Sequence, residues 1–307
     1  MPQEKYLKAE KINLEEVKEI FEKKGFEVIF LEQLWRHVHG KLRKNNKYFF
    51  LKLASTIEIG SKTENEISWN ENVAPLLKNL SSIKIPKIYE TGKLKDRFYY
   101  LSEFCEGDLL ATKFPPNLKN LKNWLDKIVE LNITLLSYQK IKFKKDNNLS
   151  EKEISDNYVN NIKQKYEDVK EYKLNEIFIE VEKLRNSFSP KINHGDFVPW
   201  HFIEGENAIT LIDAEHASSY LPKYYDVCYF YERLYARGES PELAKEYLRK
   251  IKESLSETEK QNFDKELKPV LASRIIIGIR DLVILDNITD IGLYNKLKED
   301  FLKDNLY

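Results

Sequence analysis

Residues 194–202, HGDFVPWHF, and residues 211–216, LIDAEH, decide the fold that we expect for this chain of 307 residues. Asp196 and Asp213 each lie beside a short apolar run, and Pro199 predicts a turn between them. In phosphoryl transfer, one aspartate orients or accepts the proton of the attacking hydroxyl, and a second aspartate with one further ligand holds magnesium on the nucleotide phosphates. His201 occupies the position in which that further ligand is needed. The two segments therefore predict a metal and phosphate site.

The segment HGDFVPWH, followed by an aspartate after a hydrophobic strand, resembles the HxDxxxxN pattern of the aminoglycoside phosphotransferase and choline kinase families, distant relatives of the protein kinases. The resemblance implies that Asp196 is the catalytic aspartate and Asp213 the metal-binding aspartate. His201 stands where most of these enzymes have a metal-binding asparagine. Macrolide phosphotransferases resemble this chain in having histidine there, and a neutral imidazole nitrogen is an acceptable metal ligand. We expect His194 to support the loop by hydrogen bonds.

Composition restricts the class of protein. Lysine plus arginine and aspartate plus glutamate each number 50, so the formal net charge of zero favours neither nucleic acid nor an anionic membrane as a partner. The two cysteines are far apart and form no C-x-x-C pair, which argues against a disulfide framework or zinc site and favours the reducing cytoplasm. The charged N-terminus is not expected to be a signal peptide. Residues 274–285 form the most apolar late run, but they are too few and too charged to span a bilayer and predict a buried helix.

A single lysine interrupts the apolar strand predicted for residues 48–54. An unpaired buried charge is costly, so Lys52 requires an acidic partner or an edge position. The kinase resemblance implies that Lys52 contacts the α and β phosphates and pairs with a glutamate of the next helix. We predict Glu66 as that partner, although spacing alone also allows Glu64 or Glu71.

The stretch before Lys52 contains no glycine-rich phosphate loop. Residues 26–34 predict a strand, and residues 35–40 predict a turn that contains one glycine. Arg36 or His37 could approach a phosphate there, but a plain hairpin turn is the favoured interpretation.

Residues 86–103 predict a hairpin whose turn spans residues 92–97. The following residues, 102–107, resemble the kinase hinge that joins the two lobes. That resemblance implies adenine recognition by backbone groups at Glu103 and Cys105.

The C-terminal half contains two predicted helical regions, residues 118–138 and 150–187, and further candidate site residues. Asp226 resembles the family's structural aspartate that ties the metal loop to the next helix; an N-cap of a helix at residues 227–235 is the other interpretation, and both can hold. Glu215 could serve a second metal or a cationic substrate. Glu232 and the aromatic residues at 224–235 could accept an amine-bearing or sugar substrate, but a core role is favoured for the aromatic residues.

These features together predict an α+β, bilobed protein-kinase-like fold. Residues 1–104 would form a nucleotide-binding lobe with an antiparallel sheet and a helix, and residues 105–307 a mainly helical catalytic and substrate lobe. The implied activity is magnesium-dependent transfer of the γ-phosphate of ATP or GTP to a hydroxyl of a small molecule. A protein substrate is less favoured because the chain between Asp213 and Asp226 is too short for a long activation loop. The choice of nucleotide, the acceptor and the oligomeric state are left open.

Two other functions fit part of the sequence. A pseudokinase that binds nucleotide without transferring phosphate is suggested by His201 and by the absence of a glycine-rich loop. A metal-dependent hydrolase could use His194, Asp196, His201 and Asp213, but that function would leave Lys52 and the hinge-like segment unexplained.

Overall fold

The computed structural model describes residues 9–113, 116–118, 120–138, 141, 143, 146 and 148–307. The helices are α1 (Leu14–Lys23), α2 (Ile57–Val73), α3 (Leu121–Ser137), α4 (Glu151–Glu167), α5 (Asn175–Glu182), α6 (Leu184–Ser187), α7 (Tyr225–Glu232), α8 (Pro241–Ser254), α9 (Glu257–Arg280) and α10 (Gly292–Leu302). The strands are β1 (Glu27–Leu34), β2 (His37–Lys44), β3 (Lys47–Ala54), β4 (Ile83–Lys84), β5 (Ile88–Leu94), β6 (Arg97–Glu103), β7 (Asp108–Leu109), β8 (Pro190–Asn193), β9 (Phe202–Glu204), β10 (Ile209–Leu211) and β11 (Ser218–Pro222). Among the described residues, no helix combines the length and the apolar character needed to cross a membrane.

The chain divides into two compact units. The first contains the described residues of Met1–Asp108, Phe143–Lys145 and Ile203–Ala217, and the second contains those of Leu109–Lys142, Asp146–Phe202 and Ser218–Tyr307. Asp213 therefore belongs to the first unit, whereas Asp196 belongs to the second. The functional division into residues 1–104 and 105–307 stays a prediction.

The first unit is built on an antiparallel sheet with the strand order β1-β2-β3-β6-β5. Its hydrophobic core includes Val38, Leu51 and Leu53 of the sheet and Phe21 of α1. Asn13 is the N-cap of helix α1, and its side chain accepts hydrogen bonds from two backbone amides of the first turn. Helix α2 packs against β3 and β6. Strand β10 lies between β4 and β9 in a second sheet. It ends at Leu211, so the chain enters the Asp213 segment directly from a strand.

The turns of this sheet are shorter than the sequence predicted. The turn between β5 and β6 consists of Lys95 and Asp96, with φ angles of 48° and 66°, rather than residues 92–97. Two consecutive left-handed residues match the right-handed twist of the flanking strands. Gly92 instead lies within β5, where an added Cβ would come within 2.7 Å of the Tyr99 ring. The hairpin turn predicted at residues 35–40 is present but is likewise shorter, because only Trp35 and Arg36 separate β1 from its antiparallel partner β2.

The second unit is mainly helical. Helix α9 packs against α4, α5 and α7, and its residues 270–280 are buried. The predicted buried helix at 274–285 is therefore confirmed as far as Arg280, after which a π-helical turn, Asp281–Leu285, is only partly buried. The predicted helical regions at 118–138 and 150–187 correspond to α3 and to α4, α5 and α6. Strands β8 and β11 form an antiparallel pair from which the chain leads into residues 194–202.

Candidate active site

Lys52 is the centre of a buried ionic cluster in the first unit. It lies on β3 between His39 of β2 and Tyr100 of β6, and it is 5% exposed. Its Nζ lies 2.7 Å from Glu66 Oε2, 2.8 Å from Glu215 Oε1 and 2.9 Å from Asp213 Oδ1. The structure thus contains the predicted pairing of Lys52 with Glu66 of α2, and it adds two acids from the segment after β10.

The charges of this cluster depend on one another. Burial alone would lower the pKa of Lys52, but Asp213, Glu66 and Glu215 together raise it well above its usual value, so the side chain is a cation. Burial raises the pKa of Glu66 to about 7 despite the opposing effect of Lys52. Burial also acts to raise the pKa of Glu215, but the charge of Lys52 is the main opposing effect and the pKa is lowered. Glu215 is therefore the firmly ionised buried acid of the cluster.

Glu215 also binds the turn between β1 and β2. Arg36 Nη2 donates to Glu215 Oε2 over 3.3 Å, and His37 Nε2 lies 3.1 Å from Glu215 Oε1. Burial, followed by the charge of Lys52, lowers the pKa of His37 to about 3, so its contact with Glu215 is a hydrogen bond of a neutral imidazole. With its side chain 3% exposed, Glu215 supports the cluster and is not available to a cationic substrate. This corrects the expectation that it could bind such a substrate.

The segment after β10 is held in an unusual backbone conformation. Asp213 has a φ of 65°, which is rare for a residue with a side chain. Asn65 of α2 donates from Nδ2 to the backbone carbonyls of Glu215, at 3.2 Å, and Ala217, at 2.9 Å. Asn65 was not among the residues predicted from the sequence, although an amide in the apolar stripe of α2 beside Glu66 was a signal for it.

Asp226 organises the loop that carries Asp196 in the second unit. Its carboxylate accepts hydrogen bonds from the backbone N–H groups of His194, at 2.5 Å, and Gly195, at 2.9 Å. Its own N–H donates to Asn193 Oδ1 over 3.1 Å. Burial raises the pKa of Asp226 to about 7, although both backbone donors act in the opposite direction. The structure therefore contains the predicted tie between loop and helix.

Asp226 is not the N-cap of the following helix. Helix α7 begins at Tyr225, and Tyr224 occupies the N-cap position without a side-chain capping bond. The N-cap interpretation of Asp226 is wrong because the carboxylate is directed to the loop instead. His194 is fully buried, and its backbone N–H takes part in this support.

The imidazole of His201 is oriented by the same loop. His201 Nδ1 lies 2.9 Å from the backbone carbonyl oxygen of Asp196. A carbonyl can only accept, so the proton resides on Nδ1 and the lone pair on Nε2. The side chain of Asp196 is 25% exposed, and that of His201 is 14% exposed. His201 thus has the tautomer that a metal ligand requires, with its second nitrogen fixed by a hydrogen bond.

The segment proposed as a hinge follows β6 without regular structure. The backbone N–H of Glu103 donates to the carbonyl of Lys87 over 2.8 Å, so only its carbonyl could bind a nucleobase. Gly107 has a φ of 130°, and an added Cβ would lie 1.9 Å from the backbone oxygen of Glu204. The partly buried Cys105 lies between Glu103 and Gly107.

Glu232 lies in the core of the second unit and is fully buried. It accepts hydrogen bonds from Tyr294 Oη, from Arg233 Nη1 at 3.3 Å and from Arg274 Nη2 at 3.2 Å. The expectation of a substrate contact is wrong because both carboxylate oxygens are engaged within the core. Of the aromatic residues at 224–235 that were considered for a substrate contact, Tyr224, Phe230, Tyr231 and Tyr235 are fully buried, as their favoured core role requires, whereas Tyr229 is partly buried.

Comparisons with known proteins concern the fold of the chain. No family model and no curated protein sequence matches the chain. The structure is similar to the aminoglycoside phosphotransferase APH(4)-Ia, with a TM-score of 0.63 and 12% identity over 95% of this chain and 99% of that one. It is similar to APH(2")-IIia, solved with GDP and kanamycin, with a TM-score of 0.62 and 14% identity over 95% of this chain and 99% of that one.

A third similar structure is the choline kinase LicA from Streptococcus pneumoniae, with a TM-score of 0.53 and 17% identity over 94% of this chain and 97% of that one. Each likeness extends over nearly the full length of both chains. The chain therefore has the α+β kinase-like fold of the aminoglycoside phosphotransferases and choline kinase.

Proposed function

We propose that the protein is a small-molecule kinase that transfers the γ-phosphate of ATP or GTP to a substrate hydroxyl with magnesium. The observation that carries the proposal is the buried contact of Lys52 with both Glu66 and Asp213, at 2.7 and 2.9 Å. A buried cation beside a half-exposed aspartate is suited to bind phosphate and metal together. The kinase-like fold, which is found in nucleotide-bound phosphotransferases, supports the proposal.

Lys52 would contact the α and β phosphates, and Glu66 would hold its ammonium in position. Such an arrangement needs a firmly charged lysine, and the three surrounding acids provide one. The adenine or guanine would bind backbone groups of the hinge. The Glu103 carbonyl would accept a hydrogen bond and the Cys105 backbone N–H would donate one, because the Glu103 N–H already binds Lys87.

The donor atoms fit magnesium. Asp213 has the most exposed side chain of the acids around Lys52, 39% compared with 5% for Glu66 and 3% for Glu215. Ligand atoms of these three acids lie within 4.8 Å of one another, but Glu66 and Glu215 are buried against the ammonium of Lys52. We therefore assign the metal to Asp213 with His201, whose Nε2 carries the lone pair. Bound magnesium would neutralise charge on the phosphates.

Asp196 would orient the acceptor hydroxyl and take its proton. The acceptor oxygen then forms a bond to the γ-phosphorus while the bond to the leaving nucleoside diphosphate breaks. A strongly basic group is not needed for this step, since positioning and charge neutralisation supply most of the rate. The two backbone bonds from His194 and Gly195 to Asp226 fix the loop in advance, as such positioning requires.

Thermal melting of the purified protein with ATP or GTP, with and without magnesium, tests this proposal. A ligand that binds only the folded state raises the melting temperature, and at one hundred times Kd it adds about 2.7 kcal/mol of stability. We expect a magnesium-dependent shift in the wild type and in the exposed control variant Asp96→Asn. The shift should be lost in Asp213→Asn, in protein shown to be folded by circular dichroism.

The same measurement separates the pseudokinase. That alternative is favoured by the turn between β1 and β2, where Arg36 is bound to Glu215 rather than forming a glycine-rich phosphate loop. A nucleotide shift without magnesium dependence, together with no acceptor-dependent release of diphosphate, would support it. No shift with either nucleotide would contradict both functions. Cytoplasmic location stays a prediction from cysteine content.

A further inference from the structure

The second unit contains a cavity of about 330 Å³ that the roles above do not use. Its walls come from α4, β11, the start of α7 and α9. A space of this size lies at the lower end of the range of small-molecule sites. The residues that line it include Asn157, Tyr158, Asn161, Lys165 and Tyr225.

The cavity is connected to the catalytic loop through two structural elements. Tyr225 precedes Asp226, whose carboxylate accepts the N–H of Gly195, the residue before Asp196. On the other side, Leu221 of β11 pairs with Lys191 of β8, and β8 leads directly into the same loop. Burial raises the pKa of Tyr225 against the opposing effect of Arg274, and the charges of Asp226 and Asp196 add to the rise, which agrees with this proximity.

Aromatic surface dominates one corner of the cavity. The rings of Tyr158 and Tyr225 meet edge to face, with centroids 6.4 Å apart. Their hydroxyls are bound away from the cavity, Tyr158 Oη at 2.6 Å from Ser273 Oγ and Tyr225 Oη accepting from Arg274 Nη1 at 3.0 Å. The ring surfaces therefore remain for contact with an apolar or aromatic part of a ligand.

The charge of the lining excludes one class of acceptor. Of the described residues that line the cavity, none is acidic, and Lys165 is the one basic residue. An ammonium group that enters such a site loses water without gaining a carboxylate partner from the residues that line it. Asn157 and Asn161, one helical turn apart on α4, supply amide groups that can bind hydroxyls.

We propose that this cavity binds the phosphate acceptor, and that the acceptor is a hydroxylated compound with an aromatic or apolar face and no positive charge. Polycationic aminoglycosides would accordingly be poor substrates. The identification of the bound compound as the acceptor rests on the proposed kinase function. The preference of the cavity for ligands without positive charge does not.

The test uses three probes that differ in charge but share one aromatic group: 4-nitrophenyl glucoside, the glucuronide and the 2-amino-2-deoxyglucoside. Kanamycin serves as a polycation. Binding to the full-length Asp196→Asn protein, in which turnover is prevented, is measured by saturation-transfer NMR and titration calorimetry without nucleotide. We expect the glucoside and glucuronide to bind at least about tenfold more tightly than the amino sugar and kanamycin.

A paired variant reverses the charge preference. Asn157→Asp combined with Asn161→Asp places two carboxylates in the cavity, and we expect it to bind the amino sugar about tenfold more tightly and the glucuronide more weakly. Gln164→Glu is the matched control, because Gln164 is exposed on the same helix and does not line the cavity. Circular dichroism shows whether each variant is folded.

Several outcomes would overturn the proposal: tightest binding of the cationic probes to the unaltered cavity, no binding of any aromatic probe, or equal effects of the paired variant and the control. Nucleotide-dependent melting is measured in parallel. A magnesium-dependent nucleotide shift with no probe binding would refute the cavity assignment alone. Probe binding without any nucleotide shift would refute the kinase function while the charge preference of the cavity stands.

Discussion

Replacing Lys52 with methionine should destabilise the first unit strongly, because it leaves buried acids without their shared cation. Lys52 is within 2.9 Å of three carboxylates, and Glu66 and Glu215 have side chains only 5% and 3% exposed. Glu215 keeps Arg36 and His37 as partners, so the main loss falls on Glu66. Removing one member of a buried ion pair costs about 3–5 kcal/mol, a large part of a typical domain stability of roughly 5–15 kcal/mol.

The loss should depend on pH. In the wild type, burial raises the pKa of Glu66 to about 7 with Lys52 opposing the shift. Without Lys52 this pKa rises further, so the unfolded protein loses its proton near pH 4.5 while the folded variant retains it. The stability contributed by the protonated acid is fully present below pH 4.5 and is lost as pH rises through the folded pKa. The difference between variant and wild type should thus be larger at pH 8 than at pH 5.

Urea unfolding at both pH values gives the size of the effect, and hydrogen exchange of peptides from β3 and α2, read by mass spectrometry, locates it in the first unit. Lys47→Met is the control on the same strand, since Lys47 is exposed and should change stability by less than about 0.5 kcal/mol. Adding Glu66→Gln to Lys52→Met should recover part of the loss. A cost no larger than that of the control, or one that is independent of pH, would refute the reasoning.

Three further predictions concern individual contacts. As pH rises from 4 to 7, the wild type should lose up to about 4 kcal/mol of stability, because burial raises the pKa of Asp226 from 3.8 to about 7. Asp226→Asn should abolish this loss, and urea unfolding across that pH range checks it. Gly278→Ala should cost about 1–3 kcal/mol by overpacking, because the added methyl would lie 2.5 Å from Glu232 Oε1, and a lowered melting temperature with unchanged nucleotide binding is expected. Gly107→Ala should displace the hinge, because the methyl would lie 1.9 Å from the Glu204 carbonyl oxygen; calorimetry should show weaker nucleotide binding, and an unchanged Kd would contradict the hinge assignment.

The sequence was sufficient to predict those features that a local pattern and a burial cost determine together. A lysine in an apolar strand requires a nearby acid, and the structure pairs Lys52 with Glu66 as expected. The amphipathic pattern of α1 and the apolar stripe of α3 likewise placed both helices within a few residues. In each case the decisive information lies within one helical turn or one strand.

Turns were predicted less well because glycine is not the only residue that adopts a left-handed conformation. Lys95 and Asp96 form the β5–β6 turn, and Asn45 and Asn46 have φ angles of 51° and 58° between β2 and β3. The turn predicted to begin at Gly92 was wrong, because glycine is required there by the close approach of Tyr99 within the strand and not by a turn. Composition alone does not distinguish these two reasons.

Long-range contacts account for the error in the role of Glu215. Its carboxylate binds Arg36, which is 179 positions earlier in the chain, and shares Lys52 with Asp213. No local pattern encodes such a contact, so an acid two residues after a metal-binding aspartate was interpreted as a possible ligand for a substrate. Burial of the side chain, which only the fold determines, makes it a support for Lys52 and for the β1–β2 turn.

The loop of Asp196 shows how a local pattern and a distant contact combine. Tyr224 adopts a left-handed conformation, with a φ of 69°, and α7 begins one residue later, which places Asp226 inside the first turn rather than at the cap. From there its carboxylate binds two backbone N–H groups of the loop, while Asn193 binds the backbone N–H of Asp226 in return. The family resemblance implied a tie between this loop and the next helix, but only this reciprocal arrangement explains why the partners of the Asp226 carboxylate are backbone groups. Because backbone donors do not change with side-chain substitution, the position of Asp196 depends on Asp226 and Asn193 more than on the identity of His194.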